Sequence, residues 1–555
     1  MTNKQIAAAF SYLASLMELH GDNPFKIRNY NNAYITLRKM QTPLADIPAA
    51  ELPDIKGVGK STAGKITELL TTGNLENIQK LELKTPSGVR EMLKIKGFGP
   101  KKVRTVWKEL GTETIGELLY ACNENRLIEI KGFSEKTQND LKAKLEYYQK
   151  SRNSFHYAAL ENDAQNAVAY LQNQLPGTAV ELTGNLRRRC NIADKIEILV
   201  GTVNDEMISF DDKTLTKVNE ENHVLYAKSA GEYPVIIYLC APDEFGSKQF
   251  RYTAAPDFMQ AWLTEFPGTN FKKLTTEAEV FAKVNLPFIA PEMREDNWSL
   301  DLAKAGNLPD LLEEKDIKGV VHAHTTYSDG LHTLEETATY AKSLGYEYLV
   351  LTDHSQAAFY ANGLKPDRVA AQMTEIDALN EKLAPFRIFK SIECDILNDG
   401  SLDYDEETLR KFDCIIASVH SNLRMDKEKA TERILTAVRN PYTTILGHPT
   451  GRLLLSREGY PIDHQAIIDA CAENNVAIEL NANPYRLDLD WTWIPYALEK
   501  GVPISVNPDA HSKEGIHDIR YGVLSARKGG LTREMCLNAK NLQEFEAYLQ
   551  KKSVV

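Results

Sequence analysis

Nine side chains able to ligate a divalent cation fall in order along the rear of the chain: His322, His324, Asp329, His354, Glu393, His420, His448, Asp509 and His511. The chain has only 12 histidines, and half of them belong to this series. Imidazole and carboxylate grouped this way can hold several divalent ions with open coordination positions. Such a centre makes a nucleophile from water and withdraws charge from a phosphate oxygen. Nine ligands suit about three ions at three or four ligands each, and mixed histidine and carboxylate ligation suits Mn²⁺ or Zn²⁺ over Mg²⁺.

Each ligand follows an apolar, strand-like run. Seven such runs, at 320–323, 348–352, 386–391, 414–418, 444–447, 476–480 and 504–506, alternate with helical segments. This predicts a parallel β/α barrel with its working residues just past the strand ends. His322 and His324, two apart, share one face of the first strand. Glu393 ends the third strand, where its two oxygens can bridge two ions. A lone histidine at a strand end is usually a hydrogen-bonded core group, but nine ligands in one recurrent frame do not fit that explanation. Asp353 is expected to orient a ligand, and Arg452 and Asn483 to reach a substrate phosphate at the barrel mouth. His332 either lines the pocket or is a solvated loop residue; His464 and His517 are read as structural.

The front of the chain repeats another pattern: an apolar residue, a lysine, then a glycine turn opening a helix. The copies are Ile55-Lys56-Gly57-Val58-Gly59-Lys60, Ile95-Lys96-Gly97-Phe98-Gly99-Pro100-Lys101-Lys102 and Ile130-Lys131-Gly132-Phe133-Ser134. Glycine permits the tight turn and leaves backbone N–H groups uncovered, and the helix N-terminus and lysines add positive charge. Gly57, Gly59, Lys60, Gly97, Gly99, Lys101 and Lys102 would seat phosphates irrespective of base sequence. The alternative, a helical packing unit, is most credible for the third copy, where Ser134 replaces the second glycine.

Composition narrows the classes. The net charge is −12, yet residues 1–150 carry 23 Lys+Arg against 17 Asp+Glu, a net of +6, and the remainder 42 against 60, a net of −18. A basic front and an acidic, ligand-rich rear place the phosphate-binding surface in the front. No apolar run approaches the roughly 20 residues of a membrane span, and the N-terminus lacks a signal-peptide pattern. The seven cysteines are dispersed with no CxxC pair, which argues against a disulfide framework or zinc ribbon. A cytoplasmic, nucleoid-associated monomer is expected.

The hairpins resemble helix-hairpin-helix DNA-binding motifs. With Asn23-Pro24-Phe25-Lys26-Ile27-Arg28-Asn29-Tyr30 upstream, they look like the opening of bacterial family X DNA polymerases, and the similarity runs on to a C-terminal PHP (polymerase and histidinol phosphatase) domain. The nine ligands match the PHP signature position by position; Val321 stands where that signature often has an Asp. The resemblance implies that Lys26, Arg28, Lys60 and Lys65 contact DNA phosphates. It also implies a polymerase palm, whose signature approximates G-S-x-R-R-G, four residues, then G-D-x-D. The chain reads Gly184-Asn185-Leu186-Arg187-Arg188-Arg189-Cys190 and, after Asn191-Ile192-Ala193, Asp194-Lys195-Ile196-Glu197. Asn185 replaces the serine, Asp194 the glycine, Lys195 the first metal-binding Asp and Glu197 the second. The strand expected to supply a third acid, 234–240, has none, and the Thr-Gly-Ser after it reads Thr253-Ala254-Ala255. A lysine in a metal's place repels the cation, so polymerisation is expected to be lost, with Arg187, Arg188 and Arg189 still able to touch phosphate; the alternative for them is ordinary surface salt bridges.

The expected architecture is multidomain. A helix-hairpin-helix N-terminal domain spans 1–82 and a second helix-hairpin-helix domain 83–150. A degenerate α+β palm and thumb spans 151–288, a linker 289–316 and a distorted (β/α)7 PHP barrel 317–555. The leading expectation is a Mn²⁺- or Zn²⁺-dependent 3′→5′ exonuclease or 3′-end-processing enzyme of DNA repair, acting on gapped, nicked or 3′-ended DNA, with abasic-site endonuclease activity as an extension. The competing readings are an active gap-filling polymerase, a histidinol-phosphate-like small-molecule phosphatase, and a non-catalytic DNA-binding scaffold.

Overall fold

The computed structural model describes residues 1–40, 42–55, 57–123, 126–150, 154–204, 208–211, 213–455 and 458–553. Lys56 of the first hairpin lies outside the described residues. The chain divides into two compact units, Met1–Arg152 and Asn153–Val555.

The first unit is helical. Its helices include α1 (Asn3–His20), α2 (Pro24–Leu37), α3 (Lys60–Thr72), α4 (Pro100–Leu110) and α5 (Glu135–Lys150). Thr2 and Gln5 form a capping box at the start of α1, and Gly21, at φ +69°, ends it. One core gathers Ile6, Phe10, Leu13 and Ile66. A second gathers Val89, Met92, Val103, Leu118 and Leu145, together with Leu16 and Leu19 from α1. Ile78 and Leu81 pack against both cores. Across the boundary expected at 82/83 the two cores share packing, because α1 is long enough to serve both.

The second unit opens with a five-stranded sheet: β1 (Val180–Leu182), β2 (Ile196–Val200), β3 (Leu215–Glu221), β4 (Val224–Ser229) and β5 (Pro234–Leu239), in the order β1-β2-β5-β4-β3. Only the β2–β5 pair is parallel. Residues 289–316, expected as a linker, are instead packed. Ile289, Met293, Leu300 and Ala303 join an aromatic core with Phe258, Trp262 and Phe281, and the fully buried Arg294 bonds the Ile289 carbonyl and Glu277. The apolar residues spaced through this polar stretch are what bury it.

The barrel strands are β6 (Gly319–Ala323), β7 (Tyr348–Leu351), β8 (Arg387–Asp395), β9 (Cys414–Ser418), β10 (Ile445–Leu446), β11 (Ala477–Asn481) and β12 (Ile504–Asn507). They pair in parallel and in chain order. An Ala323–Ala510 bridge joins the last strand region to the first, so the barrel is nearly closed. The strands are buried on both faces, which explains their almost unbroken apolar runs. Alternation hidden within those runs sorts the interior into layers. Tyr348, Val350, Phe389, Ile416, Ile445 and Ala477 form an apolar floor sealed by Phe545 and Leu549, while Glu393, Asp395, Glu479, Asn481 and Asn507 are buried nearer the strands' C-terminal ends.

Candidate metal centre

The nine ligands come together at the C-terminal mouth of the barrel. Ligand atoms form three groups, His324–Asp329–His354–His511, His322–His324–Asp509 and His354–Glu393–His420, each lying within 4.8 Å. Glu393 is the hub. Its Oε1 lies 3.4 Å from His322 Nε2, 3.1 Å from His420 Nε2 and 3.0 Å from His448 Nε2, and its Oε2 lies 2.9 Å from His354 Nδ1. His322 Nε2 is also 3.5 Å from Asp509 Oδ1, which is 3.1 Å from His324 Nε2. Two ligands about 2.1 Å from one tetrahedral ion are about 3.4 Å apart, so these spacings suit a shared cation.

A second observation supports that fit. His322 Nε2 and His324 Nδ1 are buried without a well-formed hydrogen bond among the described residues, a cost of about 1–3 kcal/mol per group unless something else pairs with them. Backbone strain lies in the same place. His322 (φ +71°) and Asp509 (φ +51°) are non-glycine residues in the left-handed region, and Ala510 N–H donates to the His322 carbonyl across the barrel closure. His322 therefore does not continue a regular strand, as the sequence spacing suggested, but sits at an irregularity in the β6–β7 register.

Electrostatics tie the centre together. Burial pushes the His322 imidazole down, but Glu479, Glu393 and Asp509 outweigh it and hold it well above its ordinary value. Burial, with His511 and His354 adding to it, drives His324 down to about 3. Burial would raise the carboxyls of Glu393 and Asp509, yet the surrounding histidines hold both well below the usual range. The result is a set of anionic carboxylates among closely spaced imidazoles, a donor set that could hold a cation.

Three contributors were missed in the sequence. Glu479, on β11, accepts hydrogen bonds from His322 Nδ1 (2.6 Å), Asn507 Nδ2 (2.8 Å), Asn481 Nδ2 (3.0 Å) and the His448 backbone N–H (3.2 Å). It thereby turns His322 Nε2 toward the other ligands. Asp395 does the same for His420 through Nδ1 at 2.5 Å. Arg486 Nε stands 3.8 Å from Asp509 Oδ2. The signal for Glu479 was an acid inside the apolar strand Ala477-Ile478-Glu479-Leu480.

Asp353, expected to orient a ligand, and Arg452, expected to reach a phosphate, both act on loops of the mouth. The Asp353 carboxylate accepts from Thr325 N–H (2.8 Å), Ser328 N–H (3.0 Å), both hydroxyls and Gln372. It shapes the turn between His324 and Asp329. Burial pushes its carboxyl up against those hydrogen bonds. Arg452 does not reach for substrate: it bonds the Arg486 and Leu487 carbonyls and, at 2.5 Å, Asp490. It fixes the loop that carries Arg486. Asn483 holds the same loop, accepting from Tyr485 N–H at 3.0 Å. His332 accepts from Lys513 N–H, His464 stacks on Trp493, and His517 meets the Tyr340 hydroxyl.

The five-stranded sheet holds no comparable cluster among the described residues. Lys195 Nζ lies 3.2 Å from Asp194 and 4.0 Å from Glu197, and Glu197 accepts from the Tyr238 hydroxyl at 2.9 Å. Arg187 is bidentate on Glu277 and Arg188 bonds Glu295, Asn185 and the Thr253 carbonyl. Arg189 bonds the Tyr157 hydroxyl. For these arginines the structure shows the alternative reading, internal partners, two of them carboxylates.

In the first unit the three hairpins share one geometry. Gly57, Gly97 and Gly132 have φ of +85°, +78° and +97°. The next residue donates to the isoleucine carbonyl three positions back, Val58 to Ile55, Phe98 to Ile95 and Phe133 to Ile130. Gly59 and Gly99 cap α3 and α4 with ordinary negative φ, and a Cβ at either would meet nothing within 4 Å. Internal packing therefore does not require glycine there, whereas close approach of an external backbone does. Lys26, Arg28, Lys60 and Lys101 are exposed. Lys65 donates to Asn77 at 2.7 Å, and Lys102 lies 5.9 Å from the centre of the Phe133 ring.

Comparisons with known proteins agree with this layout. A helix-hairpin-helix domain family matches residues 1–75, a SAM-like helix-hairpin-helix tandem family 89–146 and the PHP domain family 321–483. A Bacillus subtilis protein named DNA polymerase/3′-5′ exonuclease PolX is 31% identical over 99% of this chain and 100% of its own length. Probable phosphatases of Thermoanaerobacter sp. (strain X514) and Caldanaerobacter subterraneus are 28% and 27% identical. Each matches 42% of this chain and 94% or 90% of its own length.

Proposed function

This chain belongs to the bacterial PolX family, and on that premise we propose that its barrel is a divalent-metal-dependent phosphodiesterase processing DNA 3′ ends by 3′→5′ exonuclease action, with abasic-site cleavage within its reach, while the palm no longer polymerises. The observation that carries the reading is the contrast between the two sites. The barrel gathers eight other candidate ligands about Glu393, whereas Lys195 places an ammonium between Asp194 and Glu197. Polymerisation needs carboxylates holding two cations against the triphosphate, and β5 contributes none.

When bound, Mn²⁺ or Zn²⁺ ions would acidify a water and withdraw charge from a phosphate oxygen. The protein supplies the remainder. His322, held by Glu479, keeps its Nε2 turned to the centre. Glu393 offers an oxygen to each side. Arg486 sets a guanidinium beside Asp509, where it can meet phosphate charge that develops during cleavage. Asp353 keeps the His324–Asp329 turn in shape. The hairpins of the first unit would hold DNA by its backbone through Gly59, Gly99 and the exposed lysines.

The likeness of the barrel to probable phosphatases favours a second reading, release of phosphate from a small monoester. A helical DNA-binding unit has no part in that chemistry. The discriminating experiment offers the protein, with Mn²⁺, a 5′-labelled single strand and a small phosphate monoester, beside a His322→Ala/His324→Ala variant. Stepwise shortening of the strand that the variant abolishes supports the nuclease; phosphate release alone, with intact DNA, supports the phosphatase.

A further inference from the structure

Beside Arg486 stands a tyrosine that the chemistry above does not use. Tyr485 is 61% exposed, uncommon for so large a ring, and is covalently next to the residue whose guanidinium approaches Asp509. Its backbone is fixed on both sides. Tyr485 N–H donates to Asn483 Oδ1 at 3.0 Å, and its carbonyl accepts from Leu454 N–H at 2.7 Å. Its ring meets the His156 ring edge-on, with centroids 4.7 Å apart at 70°. His156 is itself held to the Leu454 carbonyl at 3.1 Å. That histidine comes from the short strand Phe155–His156, which pairs with Ile192–Ala193 beside the five-stranded sheet. The palm therefore lends a buttress to a loop of the barrel mouth.

We infer that Tyr485, braced by His156 of the palm, is a stacking platform for the terminal base of a single DNA strand, making it a specificity-determining residue for the 3′-end reaction. The proposal rests on the nuclease reading of the barrel. A phosphodiester held by Arg486 and the metal-ligand cluster leaves its attached nucleoside near the adjoining residue. An aromatic side chain there gives any base a face to stack on, without selecting its sequence. Pinning the backbone at both ends and one ring edge means that little freedom is lost when a base binds. On this view the degenerate palm keeps a use: it holds the loop that distinguishes a nucleic-acid end from a simple phosphate ester.

The test uses full-length protein with Mn²⁺ and two single-stranded oligonucleotides, identical except that one ends in a 3′-terminal abasic tetrahydrofuran residue. The readout is the ratio of kcat/KM for the base-bearing end over the abasic end. Base–aromatic stacking is worth about tenfold or more, so the parent is expected to prefer the base-bearing end by that factor, chiefly through KM. Tyr485→Ala should bring the ratio close to one, and Tyr485→Phe and Tyr485→Trp should keep it. His156→Ala, which leaves the ring but removes its buttress, should lose part of it. A parent ratio near one, or a Tyr485→Ala variant retaining the parent's ratio, overturns the platform and leaves the nuclease standing. A parent that cleaves neither oligonucleotide yet hydrolyses bis-p-nitrophenyl phosphate overturns the nuclease reading, and the platform with it.

Discussion

Replacing Glu479 by glutamine should weaken metal binding without emptying the barrel of any expected ligand. The two side chains have the same shape, so what changes is hydrogen-bond sense. Glu479 Oε2 accepts from His322 Nδ1 and Asn507 Nδ2, and Oε1 accepts from Asn481 Nδ2 and the His448 N–H. An amide NH2 in either place faces two donors. Relief at His322 requires its proton to move to Nε2, the atom facing Glu393 and Asp509, and a protonated Nε2 cannot ligate. Loss of a partner of this kind lowers metal affinity about 10–100-fold, and the stranded buried donors cost about 1–3 kcal/mol of stability. Competition for Mn²⁺ or Zn²⁺ against a chromogenic chelator gives the affinity, and thermal unfolding of the metal-free protein gives the stability. A Glu479→Gln protein with parental affinity would refute the assignment of Glu479 as the group that aims His322.

Three other perturbations address the palm–barrel junction and the hairpins. The fully buried Lys528 bonds Glu295 and, at 2.8 Å, the Arg188 carbonyl; Lys528→Met should cost about 3 kcal/mol by leaving that carboxylate short of a partner, read as a lower denaturant midpoint, and an unchanged midpoint would contradict the role. Burial pulls the His156 imidazole below its ordinary value, against the pull of the Leu454 carbonyl. The unfolded chain therefore takes up a proton near pH 6.5 before the folded one does, and the stability tied to neutral His156 is present above that pH and lost as pH falls through the lower folded value. The stability difference between the parent and His156→Gln should be constant above pH 7 and shrink below about pH 6.5; a difference independent of pH would count against it. For the hairpins, Lys60→Ala and Lys101→Ala should each weaken binding of gapped DNA and reduce the slope of log affinity against log salt by about 1, whereas unchanged slopes would remove those lysines from the DNA.

The barrel was legible because its signals are periodic and local. Each of the seven apolar runs predicts a strand within a few residues, and candidate ligands at successive strand ends imply convergence at one mouth. What stayed hidden depends on partners distant in sequence. Glu479 reads as one acid in an apolar strand until His322, 157 positions away, is placed on it at 2.6 Å. Arg452 has the charge and position of a phosphate ligand, and only the backbone carbonyls of 486 and 487 show it to be a loop clamp. The palm arginines could be read either as phosphate contacts or as salt-bridge partners, and only the placement of Glu277 beside Arg187 and Glu295 beside Arg188 decides between the two. Residues 289–316 read as a linker because their polar surface residues outnumber the few apolar ones that bury them.

The central claim is that chemistry has moved wholly to the barrel, and one experiment reads both sites at once. The protein is incubated with Mn²⁺, all four deoxynucleoside triphosphates and a one-nucleotide-gapped duplex whose upstream strand carries a 5′ label, so that loss and gain at its 3′ end appear on the same gel. The prediction is shortening without extension, abolished in a His322→Ala/His324→Ala variant. Templated extension by the parent or by that variant would contradict the account, since it would place a working two-metal site at Lys195 and Glu197.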